Sequence, residues 1–237
     1  MPTIEQNLAT VRRRIAVACA DAGRPEDSVQ LLAVSKTFGA EAIREAQRAG
    51  QRQFGESYLQ EALPKLAGLS GEPLVWHFIG PLQSNKTRGV AEHFDWAHGV
   101  DRTRIAERLS AQRPASLAPL NVCVQVNISG EASKSGCAPE EAAALCRRVT
   151  TLPRLRLRGL MAIPEPVGEG ADPRAPFRAL RELFDALRRS GLELDTLSAG
   201  MSDDLEAAIA EGATLVRVGS AIFGHRGQTS RPSGGAT

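Results

Sequence analysis

A chain of 237 residues, 42% hydrophobic and 24% charged, has the composition of a soluble globular protein with room for one large α/β domain or two small ones. Its 29 basic and 27 acidic residues leave a net charge of only +2, which argues against a dedicated nucleic-acid surface. Cys19, Cys123, Cys137 and Cys146 lie far apart, with no CxxC pair and no grouping with histidine, so reduced thiols are expected and a metal site is not.

The first segment, residues 3–22, sets Ile4, Leu8, Val11 and Ile15 on one face and reads as an amphipathic helix stopped by Gly23 and Pro25. Arg12-Arg13-Arg14 reads as its solvated side. The N-terminus becomes basic without an apolar signal region, and no run approaches a membrane span, so a cytoplasmic location is expected.

A rhythm of short apolar runs and longer amphipathic ones follows. Strands are predicted over residues 31–36, 53–57, 75–79, 96–100, 121–127, 157–163, 196–198 and 214–218. Helices are predicted between them, and three end at Gly50, Gly191 and Gly212 with a strand soon after. Pro139 opens one helix at a favoured first-turn position, and another carries the stripe Phe177, Leu180, Leu183, Phe184 and Leu187. Eight alternations predict a single α/β domain over residues 1–226, a (β/α)8 TIM-type barrel with an extra N-terminal helix. A doubly wound open sheet is the runner-up, although no Gly-x-Gly-x-x-Gly follows the first strand. Residues 227–237, rich in Gly, Ser, Thr and Pro, are expected to be a disordered tail.

Lys36 closes the first apolar run, where barrel ligands gather. Desolvation there favours the neutral amine, a nucleophile towards aldehydes, so a Schiff-base lysine and a lysine snorkelling to solvent are evenly matched. Gly219 and Ser220 open a short helix after the eighth strand, a frequent phosphate site in barrels, and the hydroxyl of Ser198 at the end of the seventh can serve the same anion. Arg217 lies inside an apolar strand and needs an acceptor, for which a structural carboxylate is the simpler choice. Asp203 with Glu206 fits a capping box, His77 reads as a core residue, and His93, His98 and His225 form no metal pattern. Lys134 reads as a solvated loop lysine.

Six ordered motifs carry a resemblance to a known family. They are Ala33-Val34-Ser35-Lys36-Thr37, Gln53-Phe54-Gly55-Glu56, the run from Trp76 to Lys86, Gly159-Leu160-Met161-Ala162-Ile163, Gly200-Met201-Ser202-Asp203-Asp204 and the run from Val216 to Gly224. Together, over about residues 5–226, they resemble the pyridoxal phosphate homeostasis protein family. The resemblance implies a barrel like the N-terminal domain of alanine racemase with pyridoxal 5′-phosphate (PLP) at its mouth. It implies that Lys36 holds PLP as a Schiff base, that Ser198, Gly219 and Ser220 bind the phosphate, and that Arg217 faces the pyridine nitrogen. Ser57 departs from the asparagine usual in the family, and Ser220 from its common threonine. A homeostasis protein without catalytic residues is implied, with PLP and other B6 vitamers as ligands and apo-enzymes as recipients. A PLP-dependent amino-acid racemase is the alternative; racemases of this fold add a β-domain, whereas here the barrel takes up nearly the whole sequence. A monomer, with neither nucleic acid nor membrane as partner, is expected.

Overall fold

The apolar runs become strands because each sends alternate side chains to two buried surfaces, the barrel interior and the helical ring. A computed structural model describes residues 2–130, 135–165, 168 and 170–224. Lys134, His225 and the expected tail over residues 227–237 lie outside the described residues. The strands are β1 (Gln30–Val34), β2 (Gln53–Glu56), β3 (Val75–Phe78), β4 (Trp96–Val100), β5 (Leu120–Gln125), β6 (Leu155–Met161), β7 (Thr196–Ser198) and β8 (Leu215–Val218). Each pairs in parallel with the next, and β8 returns to β1 through Gln30–Leu215 to Ala33–Val218, so the sheet closes into a barrel. Closure removes the open doubly wound sheet.

Helices follow the strands in turn: α2 (Ala40–Arg48), α3 (Leu59–Gly68), α4 (Thr87–His93), α5 (Thr103–Gln112), α6 (Pro139–Thr150), α7 (Ala175–Arg189), α8 (Leu205–Ala210) and the short α9 (Ser220–Phe223). Outward residues such as Phe54, Trp76, Phe78, Val122, Val124, Leu160, Val216 and Val218 pack with the helices in one large core. Inside the barrel, Trp96, Cys123 and Met161 form a small separate cluster.

The N-terminal helix α1 (Ile4–Asp21) opens with a capping box, in which Gln6 N donates to Thr3 Oγ1 and Thr3 N donates to Gln6 Oε1. It packs between α2 and α8 and against α9. Because α9 spans a single turn, α1 covers the seam between β8 and β1 that a longer last helix would otherwise cover. The expected extra helix is thus part of the ring. Its arginines are more than a solvated face: Arg12 donates to Ala49 O at 2.9 Å, and Arg14 pairs with Glu206 at 2.7 Å and donates to Ser202 O at 2.9 Å. That pairing takes Glu206 away from the expected capping box. α8 starts at Leu205, after Asp204, whose carboxylate accepts from Met201 N.

Gly159 in β6 is packed directly on the backbone carbonyl of Thr196 in β7, where a Cβ has no room. We expect Gly159→Ala to lower stability by about 3 kcal/mol, the upper end of overpacking costs. Gly68→Ala, with open space around it, should be neutral or slightly stabilising. Thermal unfolding of both variants by circular dichroism checks the contrast.

Candidate functional site

At the carboxyl ends of the strands a cleft of about 390 Å³ opens, bordered by Lys36, Ser57, Ser202, Arg217, Gly219 and Ser220. Its size is within the range of small-ligand pockets. A larger groove of about 1120 Å³ lies at the amino ends of β6 and β7, far from these residues, between Arg156, Arg158, Arg188 and Asp195. Its size comes from its open shape, and the chemistry gathers in the smaller cleft.

β1 ends two residues before Lys36. Ser35 N still donates to Gly55 O at 3.0 Å, extending the ladder by one bond, and the chain then turns with Thr37 at φ +71°. A left-handed threonine is strained backbone, and such strain persists where surrounding structure enforces it. Here the enforcement comes from below. Lys65 Nζ on α3 donates to Ser35 O at 3.0 Å and to both oxygens of Glu56 at 2.9 and 3.0 Å, while Ser35 Oγ donates to Glu56 Oε1 at 2.6 Å. Glu56 is fully buried, and burial raises its pKa against the opposing pull of Ser35 and Lys65. This buried knot holds the loop, leaving Lys36 half-buried with no hydrogen bond or ion pair of its own among the described residues.

Across the cleft, Gly219 caps α9. A Cβ there would lie 3.2 Å from Val34 O and 3.3 Å from Val34 Cβ, so a bulkier residue would push β8 away from β1. The first donor within α9 is Ile222 N, which bonds Gly219 O at 2.9 Å; the N–H groups of Ser220 and Ala221 precede it and are free of intrahelical bonds. Ser220 Oγ lies 3.2 Å from Ser202 Oγ. Ser202 was not singled out from the sequence. The signal was Gly200, which takes φ +94° so tightly that a Cβ would come 2.7 Å from Ala208 Cβ. That turn after β7 brings Ser202 to the cleft.

Ser198, expected beside the phosphate, lies below the cleft instead. It is fully buried; its Oγ accepts from Arg217 Nη1 at 2.7 Å and stands 3.0 Å from His98 Nδ1. Arg217 is also buried, but it borders the cleft, and its acceptors are neutral: Ser198 O at 2.7 Å, Ser198 Oγ, and Ala162 O at 2.8 Å. No carboxylate pairs with it among the described residues, contrary to the simpler expectation. Burial pulls its pKa down to about 10, which leaves it charged at neutral pH. Three of its five N–H hydrogens are used, leaving the Nε hydrogen and one on Nη2 for an acceptor in the cleft.

A free amine, a guanidinium with spare donors, and paired hydroxyls beside a helix start fit an anionic ligand with an aldehyde and a ring acceptor. The fold and cleft are of the class of the alanine racemase N-terminal domain, whose family model matches residues 6–227. A pyridoxal phosphate homeostasis protein of Pseudomonas aeruginosa is 65% identical over 226 residues, covering 95% of this chain and 97% of that one. That of Escherichia coli is 55% identical over 231 residues, covering 95% and 98%. PipY of Synechococcus elongatus, solved with PLP bound, aligns at TM-score 0.81 and 40% identity, over 94% of this chain and 100% of that one. The chain belongs to the pyridoxal phosphate homeostasis protein family. Alanine racemase of Corynebacterium glutamicum shares the fold at TM-score 0.63 and 19% identity, and this chain spans 60% of it. No helix among the described residues is long and apolar enough to cross a membrane, and no cluster there suits a metal ion.

Lys65→Met leaves the Glu56 carboxylate buried without its ion partner, a change that costs about 3–5 kcal/mol. Because burial holds the Glu56 pKa above its usual 4.5, the folded state takes up that proton more readily than the unfolded chain. The contribution favours folding in acid and is lost as pH rises through the folded pKa. The loss in Lys65→Met should therefore be largest near about pH 7 and shrink as pH falls towards 4.5. Urea unfolding across that range checks both its size and its direction.

Proposed function

We propose that this chain binds PLP at the cleft, with Lys36 holding its aldehyde, and takes part in PLP homeostasis by holding the cofactor and passing it to apo-enzymes. The observation that carries the reading is the convergence of the unpaired Lys36 amine, the spare Arg217 donors and the Ser202–Ser220 pair on one cleft. The named relatives, and the PipY structure with PLP bound, support the choice of ligand.

PLP supplies an aldehyde that condenses with primary amines and a pyridine ring that draws electrons from the product. Lys36 contributes the amine, which must be neutral to add to the aldehyde carbon; water leaves in the condensation. Ser202, Ser220 and the first N–H groups of α9 bind the phosphate by neutral donors at a helix start. Arg217 keeps its proton and can only donate, so a ring nitrogen that accepts from it stays unprotonated and is a weaker electron sink. Among the described cleft-lining residues, Lys36 and the exposed Asp203 are the side chains able to carry a proton to or from a substrate carbon. A racemase works from two faces, and each acid–base partner contributes about 10²–10⁴-fold. Holding and transfer suit this lining better than turnover.

Borohydride reduction of protein loaded with PLP should fix the label on the peptide containing Lys36, and Lys36→Ala should lose the visible band. Label recovered on another lysine, with the band kept in Lys36→Ala, would sink the assignment.

The protein with PLP should exchange the Cα hydrogen of L-alanine and other amino acids for deuterium far more slowly than the about 1–10³ per second typical of enzymes, while passing PLP to an apo-enzyme. Exchange at enzyme rates in heavy water would replace the carrier reading with a catalytic one.

A further inference from the structure

Behind Arg217 a line of buried polar side chains crosses the barrel interior. Arg217 Nη1 donates to Ser198 Oγ at 2.7 Å, Ser198 Oγ lies 3.0 Å from His98 Nδ1, and His98 Nε2 lies 3.0 Å from His77 Nδ1. The residues come from β8, β7, β4 and β3, and only barrel closure brings the two pairs together. Arg217 is 4% exposed and the other three are fully buried. None of the three is used by the function proposed above.

The line has a direction, and Arg217 sets it. A guanidinium has no acceptor, so Ser198 Oγ must accept from Nη1. Among the described residues, His98 Nδ1 is then the ring nitrogen placed to accept the Ser198 proton. If it does, the His98 proton sits on Nε2 and is donated to His77 Nδ1, and His77 in turn carries its proton on Nε2. The reverse order, with both protons on Nδ1, keeps the bond between the histidines but leaves the buried Ser198 proton without that acceptor. His77 Nε2 is unpaired in either order, so the choice is made at Ser198. Both imidazoles are neutral: burial pulls the His77 pKa down to about 3, and burial with the neighbouring Arg217 charge and His77 holds His98 well below 6.5.

We propose that Ser198, His98 and His77 form a directional hydrogen-bond relay that positions the Arg217 guanidinium, leaving its Nε hydrogen and one Nη2 hydrogen for the acceptor in the cleft. Ser198 and His98 are positioning residues in this scheme, and His77 fixes the tautomer of His98. The naming of that acceptor as the PLP ring rests on the proposed function; the relay itself does not.

The first test needs no ligand. In the ligand-free protein, nitrogen-15 NMR should find both imidazoles as neutral Nε2–H tautomers from about pH 8 to about pH 5, where an ordinary histidine near 6.5 would titrate. An Nδ1–H tautomer at either ring, or ordinary titration of either, would overturn the relay. The second test separates positioning from packing. His98→Asn sets an amide near the place of Nδ1 and keeps the acceptor for Ser198, whereas His98→Gln reaches the place of Nε2 and strips Ser198 of it. We expect His98→Asn to hold PLP within about twofold of wild type, and His98→Gln to hold it about tenfold more weakly with an altered visible band. If the side chain only filled space, glutamine, nearer in size, would be the milder change; that order, or equal effects, would overturn the proposal. If a variant fails to fold, the tautomers of the wild-type protein decide. If the wild type binds no PLP, the proposed function fails while the NMR result still judges the relay.

Discussion

The mouth of this barrel is arranged around a buried guanidinium that no carboxylate among the described residues pairs with. Removing Arg217 from water carries a large desolvation penalty, and an acid partner would offset it most directly. Such a partner would also engage the guanidinium fork from the side, as carboxylates do in bidentate pairs. Instead Arg217 is held by two backbone carbonyls and one hydroxyl, all dipoles fixed by β6, β7 and the loop after β6. Neutral acceptors leave both its charge and two of its hydrogens available above. Glu56, also buried near the cleft, is handled in the opposite way: Lys65 and Ser35 both bond it, and it serves the shape of the Lys36 loop. One charge is kept available for a ligand and the other is consumed in structure.

The two sides of the cleft also differ in how they are built. On one side the backbone comes close, with Gly219 against Val34 and Gly200 against Ala208, so that Ser202 and Ser220 meet beside the start of α9. α1 reinforces that side from outside, since Arg14 reaches Ser202 O and Glu206 while Asn7 Nδ2 donates to Ile222 O at 2.9 Å. The N-terminal helix therefore supports the loops after both β7 and β8, and its place in the ring links the start of the chain to the Ser202–Ser220 side of the cleft.

The barrel was legible in the sequence because period and punctuation agree: apolar runs of strand length, amphipathic runs between them, and glycines at the helix ends. Lys36 and Gly219 were legible for the same reason, being positions at strand ends and not contacts. Predicted strands ran one or two residues long at five carboxyl ends, since apolar character persists into the loops while the ladder stops. What stayed hidden depends on which neighbour a side chain chooses. Glu206 fits a capping box by spacing, but Arg14, 192 residues away, outbids the local backbone. Ser198 ends the seventh strand and Ser202 follows it closely, and only the inward pointing of β7 sends Ser198 to Arg217. His77 was legible as a core residue, but its pairing with His98, one of three scattered histidines, was not, because 21 residues separate them and closure alone adds β7 and β8 to their side. Alternation along Trp96-Ala97-His98 was the available signal, since it sets His98 on the same inner face as Trp96.

A buried floor and an accessible rim suit the holding and release of a cofactor proposed above. The floor is the buried line from Arg217 to His77, whose rings burial keeps neutral near pH 7. The rim is exposed: Ile163 and Met201, both bordering the cleft, keep 38% and 39% of their surface in solvent. Enzymes that stabilise carbanions close over their substrates to exclude water and strengthen the electrostatics within. In this barrel the buried Arg217 charge lies beneath the cleft, and Lys36 stands half-buried at its border. On the function proposed above, binding strength and reversibility are set separately, the first by Arg217 and the Ser202–Ser220 side, the second by how readily water and competing amines reach Lys36.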